Sequence, residues 1–302
     1  MNDDVPDWRV VFESGNRAAC SERGLVLASI DIPFQIVHDG VGCALVVPAE
    51  FSGDAVRELR LYDEENPPVV SKPPVAIPQH EAMPGIFGYV MVVCIVAWLD
   101  ANAALGDIWR ATGRVDGALI RDGEWWRLFT ALTLHADAAH LSANLVFGSF
   151  FGFFAGRLLG SGAGWFAIVV TAAGGNLLNT LLLESTHKSI GASTAVFAAL
   201  GLVAGYVWRA KLMSQERWPY RLGPIIGGLA LLMYTGTGDE NTDVGAHLMG
   251  FVAGFGGGML LTIISDRLSS DRLQWLLGIA AVGLVAVAWV AGFSASNAQS
   301  FM

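Results

Sequence analysis

Residues Gly245-Ala246-His247-Leu248-Met249-Gly250-Phe251-Val252-Ala253-Gly254, written GAHLMGFVAG, decide how this chain folds. They belong to an apolar run over 244–264, and crossing a bilayer as a helix takes about 20 mostly apolar residues. Gly250 and Gly254 are a GxxxG pair, the spacing that lets two membrane helices approach backbone to backbone. His247 is ionisable, and an ionisable side chain at membrane depth is costly and marks a candidate functional position. The stretch therefore implies a membrane bundle with a polar site inside it.

The rest of the chain agrees. Of 302 residues, 53% are hydrophobic and only 15% charged, and the mean hydropathy is +0.50. Seven apolar segments read as membrane helices, at 85–104, 139–158, 162–183, 191–210, 222–236, 244–264 and 273–293. The first two are separated by a long mixed segment, Gly106 to His135, whose Trp109, Trp125 and Trp126 suit a membrane–water interface. The net charge of -9 is concentrated at the front: residues 1–84 carry 14 acidic and 6 basic side chains, the remainder 13 and 12. No basic patch suggests nucleic acid, and nothing calls for a cofactor or a metal. Cys20, Cys43 and Cys94 have no metal-type spacing and do not read as a disulfide framework, and Cys94 reads as a packing residue. The acidic N-terminus lacks the apolar core of a signal peptide.

Residues 1–66 read as a small α/β accessory domain in the order β-α-β-β-α, with strands around Arg9–Glu13, Phe34–His38 and Cys43–Val47. They loosely resemble small ferredoxin-like modules. A Pro-rich linker follows at 67–84, then the helical body at 85–264 and an extra helix and tail at 265–302. Arg157, Arg209, Lys211, Arg217, Arg221, Arg267 and Arg272 lie in loops on one side of a seven-helix body, and the acidic loop 236–243 lies opposite. Positive loops face the cytoplasm, so the expected placement is a multi-pass cell-membrane protein, in a bacterial inner membrane, with its N-terminus in the cytoplasm.

Few polar side chains stand out at membrane depth. His140 and Asn144, four apart, share one helix face. Ser193 begins the fourth helix, in Gly191-Ala192-Ser193-Thr194-Ala195-Val196-Phe197, and His247 lies in the sixth. Serine-based acyl transfer needs a hydroxyl, a base and donors for the oxyanion. Ser193 supplies the first and a neutral His247 the second. His140, Asn144 and the Ser193 N–H supply the donors, and Gly201, Gly205, Gly250 and Gly254 allow the two helices to close. Each piece has a plainer reading. A serine early in a membrane helix usually bonds its own backbone, GxxxG is usually ordinary packing, and His140 with Asn144 make an interhelical polar contact equally well. His135 reads as an interface or loop-supporting residue, and His38, His80 and His187 as lying outside the site.

Together these residues resemble the rhomboid intramembrane serine proteases over about 85–264. Trp126-Arg127 resembles the family's Trp-Arg motif, and His140-Leu141-Ser142-Ala143-Asn144 its His-x-x-x-Asn motif. Gly191-Ala192-Ser193 resembles its Gly-x-Ser motif, and Ala246-His247-Leu248-Met249-Gly250 its Ala-His-x-x-Gly motif. The resemblance implies an all-α rhomboid-like bundle preceded by a small α/β soluble domain. It implies a Ser193–His247 dyad that cuts transmembrane protein substrates within the lipid bilayer, with His140 and Asn144 stabilising the oxyanion. Two departures stand out. Thr194 follows the serine where glycine is common, and no acidic residue lies near Gly156-Arg157. The first keeps a second reading open, a non-catalytic rhomboid-like protein that binds membrane helices. A transporter would show related halves, and none is visible. The N-terminal domain is a possible site for a cytoplasmic regulator.

Overall fold

The computed structural model describes residues 7–38, 42–67, 79–106, 108–182, 188–210, 222, 225–228, 230, 233 and 243–300. Most of the expected fifth membrane helix, the linker over 68–78, His187 and most of the two charged loops flanking that helix lie outside the described residues. The chain forms two compact units, Met1–Pro74 and Val75–Met302.

The first unit has the expected order, β1 (Trp8–Ser14), α1 (Arg17–Ser29), β2 (Gln35–His38), β3 (Cys43–Pro48) and α2 (Ser52–Glu65). Its antiparallel sheet has the order β1-β3-β2. The central strand is the most apolar, and Leu45 and Val47 are fully buried against Leu27, Ala55 and Leu59 of the two helices. Asn16 caps α1, its side-chain oxygen accepting from the Ala18 N–H at 3.0 Å. Arg23 ties the helices together, bonded to Asp63 at 2.6 Å with its guanidinium over the Phe12 ring. Contrary to the expectation from cysteine spacing, Cys20 of α1 and Cys43 of β3 form a disulfide. Packing of α1 on the sheet creates that proximity, and a separation of 23 residues in sequence gives no hint of it.

Among the described residues of the second unit, five helices are long and apolar enough to cross a membrane. These are α3 (Met83–Ala101), α7 (Ala138–Leu159), α8 (Ser161–Leu182), α10 (Val244–Leu261) and α11 (Asp271–Ser300). A shorter apolar helix, α9 (Ser193–Arg209), runs among them. Ends differ from the expected ones by a few residues, most for α11, whose last turns add polar residues to the apolar run. Cys94 lies on the exposed face of α3 rather than in packing.

The segment between α3 and α7 is folded. It contains α4 (Trp109–Gly113), β4 (Val115–Asp116), α5 (Gly117–Arg121) and α6 (Arg127–Thr130). Trp109 is not an interfacial ring: it is 4% exposed and packs on Trp289 and Phe293 of α11 at 4.6 and 4.8 Å. Trp125, at 44%, is the exposed one. Arg127, 5% exposed, bonds Glu124 at 2.6 Å and donates to the Ala111 and Arg114 carbonyls at 2.8 and 3.0 Å. Asn176 of α8 donates to the Leu128 carbonyl at 2.9 Å. The loop is therefore held by a buried guanidinium and by an asparagine at membrane depth. Arg157, by contrast, bonds the His80 carbonyl and the Gln79 side chain.

Helix α9 is central, buried along most of its length by α7, α8 and α10. Its contact with α10 is backbone on backbone. A Cβ at Gly250, Gly254 or Gly258 would fall 2.6, 2.1 or 2.1 Å from the carbonyl oxygens of Thr194, Ala198 and Leu202. A Cβ at Gly201 or Gly205 would meet those of Phe251 and Phe255 at 2.2 and 2.1 Å. The matched order of these pairs makes the two helices parallel. Gly256 of α10 faces open space. Gly254→Leu should therefore lower the detergent melting midpoint sharply, overpacking costing about 1–3 kcal/mol or more, while Gly256→Leu should leave it near wild type; equal effects would contradict this packing.

Candidate active site

Ser193 is the first residue of α9, where the leading N–H groups of a helix have no intrahelical partner and the macrodipole is positive. The approach to it is set by Gly191, whose φ of +142° suits glycine alone among common residues. Two anchors hold this segment. The Gly191 N–H donates to the Ala131 carbonyl at 3.0 Å. Just upstream, β5 (Lys188–Ser189) pairs antiparallel with β4, Val115 opposite Ser189. The turn into α9 is thus stitched to the long loop.

The Gly191 position is also where two expected site residues meet. A Cβ there would lie 2.8 and 2.9 Å from His140 Cε1 and Nε2 and 3.3 Å from Ser193 Oγ. The imidazole of α7 and the hydroxyl of α9 therefore flank one α-carbon. Asp137 caps α7 by accepting from the His140 N–H at 2.8 Å, which fixes where the first turn puts that ring. Asn144 is one turn further along. It is 5% exposed, and its Nδ2 is a buried donor with no hydrogen-bond partner among the described residues. Buried donors are rarely left so, and this one is available to an oxygen that arrives with a ligand. Its backbone carbonyl accepts from Tyr89 Oη at 2.8 Å.

His247 enters from α10, 6% exposed, its ring over that of Phe197 at 4.5 Å and 33°. Phe197 is four residues past Ser193 and shares its helix face, so the imidazole lies along the stripe of α9 that begins with the serine. The start of α10 is clamped. Asp243 accepts from the Ala246 N–H at 2.9 Å, and Asn179 of α8 donates to its carboxylate at 3.1 Å. A cavity of about 10 Å³, roughly one water in size, is lined by Ser193, Gly191, Thr194, Asp243 and Ala246 among others.

Thr194 is 4% exposed, and its Cγ2 would lie 3.1 Å from a Cβ at Gly250. Its side chain packs into the α9–α10 contact, which is why a β-branched residue fits there. His135 is buried just before α7, edge-on to His140 at 5.3 Å. Burial, and then the neighbouring His140, lower its pKa to about 4, so it is neutral at working pH. Asn176, Asn179 and Thr180 carry the same signal in the sequence as His140: they are polar residues on an apolar helix. Phe197 carried no polar signal at all.

Part of this chain is similar to known proteins. A family model described as Rhomboid domain matches residues 122–264, a span that includes His140, Asn144, Ser193 and His247. Residues 122–264 thus match a rhomboid domain. Rhomboid protease GluP of Bacillus subtilis is 33% identical over 146 residues, 48% of this chain and 28% of the relative. A putative rhomboid protease, YdcA, of the same organism is 29% identical over 172 residues, 55% of this chain and 83% of the relative. Rhomboid-like protease 3 of Toxoplasma gondii is 35% identical over 132 residues, 43% and 49% of the two chains. The chain thus spans less than a third of the first of these relatives, and the matched rhomboid domain excludes both the N-terminal unit and α11.

Gly191→Ala tests the geometry. It places a methyl between His140 and Ser193 on strained backbone. Labelling by a serine-reactive fluorophosphonate should fall at least tenfold while the protein elutes and melts as folded; undiminished labelling would mean that His140 and Ser193 are not held together there.

Proposed function

We propose that this protein is a rhomboid-family intramembrane serine endopeptidase acting through Ser193 and His247. The observation that carries the reading is the meeting of Ser193 and His140 at Gly191, with the tilted His247 ring over Phe197 one turn along the same helix face.

In this reading an unwound stretch of a transmembrane substrate enters beside the N-terminal end of α9. Ser193 Oγ attacks the scissile carbonyl carbon, and the His247 imidazole takes its proton. The carbonyl electron pair moves onto oxygen, which sits among the Ser193 N–H, the His140 ring and Asn144 Nδ2. The tetrahedral intermediate collapses, and the departing amine takes the proton from His247. An acyl-enzyme is left on Ser193. Water, deprotonated by His247, then releases the second product. Asn144 has the right preorganisation for this role, since its buried donor finds in the oxyanion the partner it lacks. The close α9–α10 contact keeps the two reacting side chains on neighbouring helices without a flexible connection.

The domain boundaries form part of the proposal: residues 1–66 an accessory domain, 67–84 a linker, 85–264 the catalytic body and 265–302 an additional helix. So does the placement of the N-terminus in the cytoplasm of a bacterial cell, which rests on the positive loops. Disulfides persist in oxidising compartments, so in a reducing cytoplasm Cys20 and Cys43 would be buried thiols in contact, and the domain would rely on its apolar core.

Purified protein in liposomes with a model single-span substrate tests the activity. Cleavage should be lost in Ser193→Ala and in His247→Ala, and Asn144→Ala should lower kcat by about 10²–10³, the cost of one oxyanion donor. Cleavage surviving in Ser193→Ala would remove the nucleophile, and a folded, inert wild type would favour a helix-binding role.

A further inference from the structure

On the flank of the bundle away from α10, helices α3, α8 and α11 leave a cavity of about 690 Å³ between them. That volume is typical of a small-molecule site, roughly 300–1,000 Å³, and far exceeds the water-sized voids of ordinary protein packing. Its walls are apolar along the middle, where Tyr89, Val92, Trp165, Ile168 and Val282 face it. One end is polar and is lined by Glu81, Ser269 and Asp271. Leu132, Thr133 and Ala195 also line the cavity, the last two positions beyond Ser193. From Asp271 to Val285, both on its wall, α11 rises about 21 Å, a large part of the roughly 30 Å hydrocarbon thickness. Absent side chains help to make the space: a Cβ at Gly88 or Gly283 would have nothing within 4 Å.

We propose that this cavity is a lipid site that takes an acyl chain of an aminophospholipid, with the headgroup ammonium against the carboxylates of Glu81 and Asp271. The walls belong to membrane-spanning helices, so the surrounding solvent is hydrocarbon, and a long apolar groove with one polar end matches an amphiphile. Charge selects the headgroup. Glu81 and Asp271 line the polar end beside His80, and among the described residues no lysine or arginine lines it; one Glu81 oxygen accepts from the Met83 N–H at 3.0 Å, and Arg157 is committed to the His80 carbonyl and Gln79. A primary ammonium donates charge-assisted hydrogen bonds to carboxylates; a quaternary one has no N–H to donate, and an anionic headgroup would meet like charge. Because Ala195 lines the cavity, a bound chain would lie against the first turn of the helix that begins with Ser193. The site stands on the cavity and its charges and does not depend on proteolysis.

Photocrosslinking tests it. The full chain is reconstituted in phosphatidylethanolamine–phosphatidylglycerol liposomes containing a trace of lipid with a diazirine in its acyl chain, carried on either headgroup. Adducts are mapped by peptide mass spectrometry. The ethanolamine probe should label the cavity faces of α3, α8 and α11 several-fold more than the glycerol probe. Gly88→Phe and Gly283→Phe, which fill open space, should remove that labelling in protein that still melts as folded. Glu81→Gln with Asp271→Asn should equalise the two probes. Labelling spread evenly onto exposed α7 positions such as Val146 and Phe150, unchanged by the glycine variants, would overturn the proposal, as would preference for the glycerol probe.

Discussion

The contact on which the rest of this structure depends is the one between α9 and α10, where glycine α-carbons lie against carbonyl oxygens over three successive turns. In hydrocarbon, helices gain nothing from hiding apolar surface from one another, so association rests on close van der Waals fit and polar contacts. Gly250, Gly254 and Gly258 supply that fit along α10, and Gly201 and Gly205 supply it along α9. The site is a consequence. With two parallel backbones this close, His247 has little freedom except to lie on α9, and it lies on Phe197, one turn from the serine. A larger residue at any of these glycines would part the helices and move the imidazole with them.

The other half of the site is held from the long loop. Arg127 would be costly to bury alone, and its partners offset that cost: a carboxylate and two backbone carbonyls. Having bonded Glu124, Ala111 and Arg114, it makes a rigid floor from a segment that has no long helix. The short β4–β5 pairing and the Gly191–Ala131 hydrogen bond then fasten the turn before α9 to that floor. Asn176 and Asn179 of α8 complete the frame, one bonded to the loop and the other to the cap of α10. One turn of α8 therefore braces both sides of the site, and polar groups inside the bundle here serve position as well as chemistry.

Much of this is legible from residue order. Apolar length reveals the spans, and His140, Asn144, Ser193 and His247 stand out because polar groups are few at that depth. The glycine spacing announces the close helix pair, although Gly258 is recognised only once the register of the contact is seen. What residue order hides is what depends on the fold's return paths. Trp109 looks interfacial by type, but α11 comes back to cover it. Cys20 and Cys43 meet because α1 lies on β3. Thr194 looks like an obstruction beside the serine, and only the rotation of α9 shows that its side chain points at Gly250. The positive φ at Gly191, which brings Ser193 to His140, is invisible without coordinates.

The central proposal is that Ser193 is a nucleophile activated by His247, whose ring lies over Phe197 one turn along α9. The most direct test is the site of covalent modification when the purified protein is treated with a fluorophosphonate. A single adduct on the peptide containing Ser193, absent from folded His247→Ala protein, is the predicted result. An adduct on another serine, or equal labelling of Ser193 without His247, would contradict it.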